Sequence, residues 1–277
     1  MIRSCGDQVV PLNESRIRKN MEILLTNDDG LHAPGLVAMQ RELQQLGNVT
    51  VVAPATEQSG VSHSITYLTP LTCQQITSPD GQPTWAVQGS PADCVKLGVF
   101  EFCPSRPDLI VSGINHGLNA GINVLYSGTV AAAVEGAFFG ISSLAISLEA
   151  SEQPEFEKAA QVAHQILTQV LSQQGEKPQL YNLNIPTTAL TGLPEVHVVP
   201  MGINRYGEDF IKRQDPNGRD YYWATVDPPP APHHEETDMS ALAAGFISLT
   251  PLQYDMTQRQ VMTAMKTWSL DIQESPT

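Results

Sequence analysis

Two adjacent carboxylates, Asp28 and Asp29, close the stretch "LLTNDDG" that runs from Leu24 to Gly30. Like charges side by side repel, so the pair calls for a cap, solvent or a cation. Two other polar groups stand in comparable positions. Ser59 falls just past an apolar run in "APATEQSG", and Asn115 falls just past another in "SGINHGLNAG". Short apolar runs of this kind read as strands buried on both faces, and in a parallel α/β sheet their carboxyl ends gather along one edge, where ligands bind. Asp28, Asp29, Ser59 and Asn115 can therefore converge despite their separation in sequence. All four are oxygen donors, a set that suits Mg²⁺, Mn²⁺ or Ca²⁺ better than zinc. The competing reading is local: one Asp caps the following turn and the other is solvated.

"YSGTVAAAVEG" is the second informative stretch. Ser127, Gly128 and Thr129 open a helix, and an exposed helix N-terminus with two hydroxyls can hold an anion. The same residues also suit an ordinary N-cap followed by a small-residue packing face. In "GSPADCV", Asp93 reads as a first-turn helix residue. Other chemistries are excluded by what is missing. There is no GxxxxGK[ST] loop, no GxGxxG after the first strand and no GxSxG elbow. "NDDG" is similar to the DxDG loop of haloacid-dehalogenase-type phosphatases, but Asn27 would occupy the nucleophile position and cannot attack phosphorus. His233 and His234 beside Glu235 and Glu236 read as a solvated cluster in a Pro-rich loop, because no ligand spacing supports a metal site.

These groups need a scaffold to bring them together. Ile23 to Leu25 is a strand, and Pro34 suits the start of a helix. Leu36, Met39, Leu43 and Leu46 follow at helical spacing up to Gly47, and Val49 to Ala53 is a second strand. That is a parallel βαβ unit, which makes the strands ending near Asp28 and Ser59 neighbours. Residues 61–88 read as an antiparallel excursion with a turn at "SPDGQP", and residues 91–99 as a helix. Strands follow at 109–111, 144–148, 180–185 and 196–199. Helices fall at "GTVAAAVEGAFFG" and along the amphipathic run from Phe156 to Val170. Beyond Pro200 the composition shifts to a hairpin, a long loop and a final helix over 257–268.

The chain has 277 residues, 41% of them hydrophobic, enough for a core without a disulfide or metal staple. Lys and Arg number 15 against 29 Asp and Glu, a net charge of -14. That argues against a nucleic-acid or anionic-membrane surface but leaves room for a small phosphorylated ligand beside a metal. Cys5, Cys73, Cys94 and Cys103 form no CxxC pair, so a reduced cytoplasmic protein is expected. No apolar run is long enough to span a bilayer. Residues 1–20 lack an apolar h-region and read as a disordered extension.

"ILLTNDDGLHAPG", "VVAPATEQSGVSHSIT", "GSPADCV", "DLIVSGINHGLNAGINVLYSGTVAAAVEG", "YNLNIP", "DYYW" and "TDMSALAAGFISLTPL" occur in an order that resembles the SurE family of survival-protein-E nucleotidases. The likeness covers about residues 21–270. It implies a Rossmann-like, mostly parallel α/β core over 21–200 and a smaller hairpin-and-helix part over 201–277 that serves a homodimer or homotetramer. It also implies a phosphomonoesterase acting on nucleoside monophosphates with one divalent metal ion per subunit, Mg²⁺ or Mn²⁺, some members cleaving polyphosphate as well. The metal ligands would be Asp28, Asp29, Ser59 and Asn115. Asn119, Ser127, Gly128 and Thr129 would line the phosphate, with Asp28 or Asp29 handling the attacking water. Asn123 departs from the acidic residue common at its position. A non-catalytic nucleotide-binding protein at the same site, or a metal-free hydrolase, are the rival readings. Tyr206, Tyr221 and Trp223 are candidates to stack a nucleobase, or else core or interface aromatics. Val261, Met262, Met265 and Trp268 suit either a swapped arm or an intrachain core face.

Overall fold

The computed structural model describes residues 20–77, 83–192, 194–203, 208–226 and 236–270. The N-terminal extension, most of the "SPDGQP" turn, Tyr206, His233, His234 and Glu235 lie outside the described residues.

β1 (Met21–Thr26) runs into α1 (Pro34–Leu43) and β2 (Gly47–Pro54), with β2 parallel to β1. This is the expected βαβ unit, with Pro34 in the first turn of its helix. The helix stops at Leu43, earlier than the periodicity suggested, and Gly47 is the first residue of β2 rather than a helix stop. A Cβ on Gly47 would lie 2.0 Å from the Met21 carbonyl oxygen, so the close approach of the two strands selects glycine there.

The expected excursion is a hairpin of β3 (Cys73–Thr77) and β4 (Pro83–Val87), and residues 61–72 before it form no strand. β4 joins the main sheet parallel to β2. α2 (Pro91–Leu97) has a capping box in which Ser90 and Asp93 exchange side-chain and backbone hydrogen bonds, which accounts for Asp93. Next come β5 (Leu109–His116), α3 (Gly128–Phe138), β6 (Ser142–Leu148), α4 (Phe156–Gln173), β7 (Leu180–Ile185) and β8 (Val196–Val198).

β9 (Glu208–Gln214) and β10 (Asp220–Val226) make a separate antiparallel hairpin. After them come α5 (Asp238–Ala243), β11 (Ile247–Leu252) and α6 (Arg259–Met265). β11 departs from the sequence reading, which placed no strand there. It lies between β7 and β8, antiparallel to β7, so the nine-stranded order is β3-β4-β2-β1-β5-β6-β7-β11-β8.

Both faces of this sheet are covered, so its strands are apolar along their length rather than alternating. Ile23, Leu25, Val51 and Val111 pack with Leu36, Met39 and Leu43 of α1 and Ala160, Ala163 and Leu167 of α4. The intervening Leu24, Val52 and Ile110 pack with Cys94 and Val95 of α2 and Ala132 of α3 on the opposite face. α6 has no buried residue, and Val261, Met262, Met265 and Trp268 are all exposed, so no intrachain core face covers them among the described residues.

Gly35 fixes how closely α1 approaches the sheet. A Cβ there would fall 2.0 Å from the Ile114 carbonyl oxygen and 3.0 Å from Phe156 Cε1. Gly35→Ala is expected to destabilise the protein by about 1–3 kcal/mol through overpacking, read as a lower urea midpoint with unchanged slope. An unchanged midpoint would show that the helix moves away at no cost.

Candidate active site

β1 ends at Thr26, and the next four residues form a tight turn. Asn27 is fully buried and stitches that turn: its Nδ2 donates to Gly30 O at 2.9 Å and its Oδ1 accepts from Gly30 N at 3.2 Å. Gly30, at φ +101°, takes a left-handed conformation that glycine adopts without strain. The turn sets Asp28 and Asp29 at the carboxyl edge of the sheet. β2 delivers Ser59 through the loop after Pro54. β5 delivers Asn115 past a register shift between Ser112 and Asn115, an irregularity of the kind that re-aims side chains.

One cavity of about 620 Å³ collects these residues. Asp28, Asp29, Ser59, Asn115, Asn119, Asn123 and Ser127 line it, with Glu57, His116, Leu118, Tyr126, Pro154 and Phe156. Gly128 and Thr129 are not in its lining. Neither are Tyr221 and Trp223, which lie on the β9–β10 hairpin.

Asp28 is held by the start of α3. Thr129 donates to it twice, from its hydroxyl to Oδ1 at 2.6 Å and from its backbone N–H to Oδ2 at 3.0 Å. A Cβ on Gly128 would sit 3.0 Å from Asp28 Oδ2, so glycine there admits the carboxylate. The Val130 N–H is taken by Ser127 Oγ at 3.1 Å. The helix N-terminus therefore does bind an anion, the Asp28 carboxylate, through Thr129. Burial raises the Asp28 carboxyl to about 6, against the opposing pull of the Thr129 hydroxyl. Asp29 is also raised, first by burial, with the negative charge of Glu57 adding and the His116 N–H, at 3.2 Å, opposing.

Ser59 donates its proton to Glu57 Oε1 at 2.6 Å, which leaves the hydroxyl lone pairs available to a cation. Asn115 donates Nδ2 to Gly117 O at 2.7 Å, which fixes its amide and leaves Oδ1 as a free acceptor among the described residues. Asn119 is used mainly as an anchor. Its N–H donates to Asn184 Oδ1 at 2.8 Å, its Nδ2 donates to Ser147 Oγ at 2.9 Å, and its carbonyl accepts from Asn182 and Asn184.

Glu57, His116, Leu118, Tyr126, Pro154 and Phe156 were missed as site residues. Glu57 had a legible signal, a carboxylate two positions before Ser59. His116 ends β5 and Tyr126 precedes Ser127, each adjoining a candidate, whereas Leu118 and Pro154 lie in loops and Phe156 opens α4. Among the described residues, no three His, Cys, Asp or Glu side chains are grouped to hold a metal by themselves. A donor set here must include the neutral oxygens of Ser59 and Asn115. At position 236, Glu236 accepts from His197 Nδ1 at 2.9 Å, an exposed pairing away from the cavity lining.

A doubly wound, mostly parallel sheet with an acidic cavity at its carboxyl edge defines the chain as a Rossmann-like α/β protein with a strand-end cavity where such folds bind ligands. The family model "Survival protein SurE" matches residues 23–208. A protein from Rhodopirellula baltica named 5'-nucleotidase SurE is 55% identical over 251 residues, 90% of this chain and 99% of its own length. One of the same name from Vibrio campbellii is 41% identical over 92% of this chain and 97% of its own length. The crystal structure of SurE protein from Aquifex aeolicus superposes with a TM-score of 0.78 at 38% identity, covering 88% of this chain and 98% of that one. This chain belongs to the SurE family.

Proposed function

We propose that this chain is a 5'-nucleotidase that hydrolyses nucleoside monophosphates to nucleoside and inorganic phosphate in the cavity at the end of β1, with a divalent cation on Asp28, Asp29, Ser59 and Asn115. Relatives that share up to 55% identity bear the name 5'-nucleotidase. The observation that carries the site assignment is charge. Asp28, Asp29 and Glu57 line the cavity, and no Lys or Arg among the described residues does. A phosphate dianion cannot enter such a site without a bound cation, and among the described residues buried Asp28 has no other positive partner there. The donors fit a hard cation such as Mg²⁺ or Mn²⁺.

When bound, the cation supplies Lewis acidity and charge neutralisation at the phosphoryl group. The protein does the rest by positioning. Thr129 fixes the Asp28 carboxylate, and Glu57 orients the Ser59 hydroxyl. Asp28 or Asp29 orients the attacking water and accepts its proton. Leu118, Tyr126, Pro154 and Phe156 offer an apolar wall to the nucleoside. The helix-terminus role expected for Thr129 at the phosphate passes to Ser127, which lines the cavity, since Thr129 is occupied by Asp28. The exposed apolar face of α6 suits contact with another copy of the chain, in a homodimer or homotetramer. The free thiols of Cys73, Cys94 and Cys103 suit a cytoplasmic setting, and among the described residues no helix is long and apolar enough to cross a membrane.

The deciding experiment is phosphate release from a panel of 5'- and 3'-nucleotides and polyphosphate, with Mg²⁺, with Mn²⁺ and after EDTA. Release from nucleotides that EDTA abolishes and metal restores is the expected result. Tight nucleotide binding with no release under any metal would favour the non-catalytic alternative, and full activity after EDTA would favour a metal-free hydrolase.

Proton and cation compete for Asp28. Because burial raises its folded-state value to about 6, the metal-free native state holds a proton that the unfolded chain has released. Stability from this group is therefore present at acid pH and lost as pH rises from the usual carboxyl range through about 6, by about 3 kcal/mol in total. A cation binds the ionised form. The rise in melting temperature with Mn²⁺ is expected to be larger at pH 7.5 than at pH 5.5. Equal shifts at both pH values would remove Asp28 from the cation site.

A further inference from the structure

We propose that Asp238, in the first turn of α5, is a positioning residue for the substrate loop between β5 and α3, an inference that rests on the nucleotidase reading for its kinetic consequence. Asp238 does not line the cavity, and it falls beyond the segment that the family model matches. It is fully buried, and no Lys, Arg or His among the described residues pairs with it. Its partners are backbone amides. Oδ2 accepts from Gly121 N at 2.8 Å, and Oδ1 accepts from Gly202 N and from Met239 N, each at 2.8 Å. Three charge-assisted bonds to a buried carboxylate make a strong and directional clamp.

The clamp joins two segments. Gly121 starts the short 3₁₀ turn Gly121–Leu125, which leads to the cavity residues Asn123, Tyr126 and Ser127. Gly202 follows β8 and precedes the β9–β10 hairpin. Met239 is wedged between them: a Cβ on Gly121 would lie 3.1 Å from its Sδ, and one on Gly202 would lie 3.0 Å from its Cγ. The substrate loop is thus pinned at Asn119 by Asn182, Asn184 and Ser147, at Gly121 by Asp238, and at Ser127 by α3. A further tether comes from the segment after β2, where Ser62 donates from its hydroxyl to Leu125 O at 2.7 Å and from its N–H to Tyr126 O at 3.1 Å. Among the described residues, the Asp238 clamp is the hydrogen-bonded tether that comes from beyond β7. The proposed cation donors Asp28, Asp29, Ser59 and Asn115 stand on other segments, at the ends of β1, β2 and β5.

This separation gives the proposal its signature, because loosening the clamp should weaken nucleotide binding without weakening cation binding. Asn at position 238 keeps the shape but has one accepting oxygen, and its NH₂ would face an amide N–H. In Asp238→Asn, KM for a 5'-nucleoside monophosphate is expected to rise by about tenfold, with kcat changed by less than about threefold and Mn²⁺ affinity, measured by calorimetry, within about twofold of wild type. Hydrogen exchange read by mass spectrometry should quicken over residues 119–127 and 201–203 and stay unchanged over β1 and α1. Should Asp238→Asn yield too little folded protein, Gly202→Ala presses on the same clamp, 3.3 Å from Asp238 Oδ1, and should move the same readouts in the same direction. KM and Mn²⁺ affinity shifting in parallel, or unchanged exchange over 119–127, would overturn the proposal. Wild-type protein that releases no phosphate would fail the nucleotidase reading instead, with the exchange measurement still testing the clamp.

Discussion

Asp28→Asn is expected to lower turnover by about three orders of magnitude while the fold stays intact. The amide keeps the volume of the side chain and can still accept one hydrogen bond from Thr129, so the turn after β1 has no steric reason to change. What disappears is the negative charge, and with it an anionic donor to the cation and a group able to take a proton from water. The charge is held in the folded state at a cost, since burial raises the carboxyl to about 6 with no positive side chain alongside among the described residues. The metal-free variant should therefore melt at a higher temperature than metal-free wild type at pH 7.5. Phosphate release and thermal melts on the same preparations test both halves. Turnover near wild type would sink the assignment of Asp28, whatever the melts show.

Thr129→Val is expected to have the second-largest effect, a loss of about tenfold or more in turnover at pH 7, from removal of a hydrogen bond to a charged group. Valine preserves the branched shape in a fully buried position, so packing is little changed. The hydroxyl at 2.6 Å lowers the Asp28 carboxyl against the rise caused by burial. Deleting it moves that value further up, closer to working pH, so a larger share of the protein carries a protonated Asp28. The acid limb of the pH–rate profile should shift to higher pH, activity should recover at alkaline pH, and Thr129→Ser should behave as wild type. A uniform loss at every pH would mean that Thr129 contacts the phosphate directly, as the sequence alone suggested.

"SGT" before a run of alanines announces a helix N-terminus with anion-binding groups, but an anion from the chain and an anion from solution satisfy those groups equally. Only the fold brings Asp28 there. The convergence of Asp28, Asp29, Ser59 and Asn115 on one cavity was legible because each follows an apolar strand, and parallel strands end on a common edge. β11 was not legible. "ISLTPL" contains a proline, follows a stretch of different composition, and is preceded by a helix, α5, of only six residues, too short to announce a parallel partner. Asn119 could be flagged as polar near the site, but its four bonds to Asn182, Asn184 and Ser147 depend on side chains that become neighbours only when β6 and β7 pair. Glu57 sits two positions from Ser59, close enough to be suspected, but whether its carboxylate faces the hydroxyl is decided by the loop after β2.

The insertion of β11 between β7 and β8 also constrains how the chain is made. Among the described residues, β8 pairs with no strand but β11, and the edge of β7 turned away from β6 is closed by β11 alone. On a ribosome, the sheet through β7 can assemble early, since all seven of its strands lie within residues 21–185 and pair among themselves. It then waits with one open edge through the synthesis of β8, the β9–β10 hairpin and α5. An open, apolar strand edge is a template for pairing with another chain. The vulnerable interval in the life of this protein is therefore the time between the emergence of Ile185 and that of Leu252, and a ribosome pausing in that span leaves a nascent chain prone to aggregate.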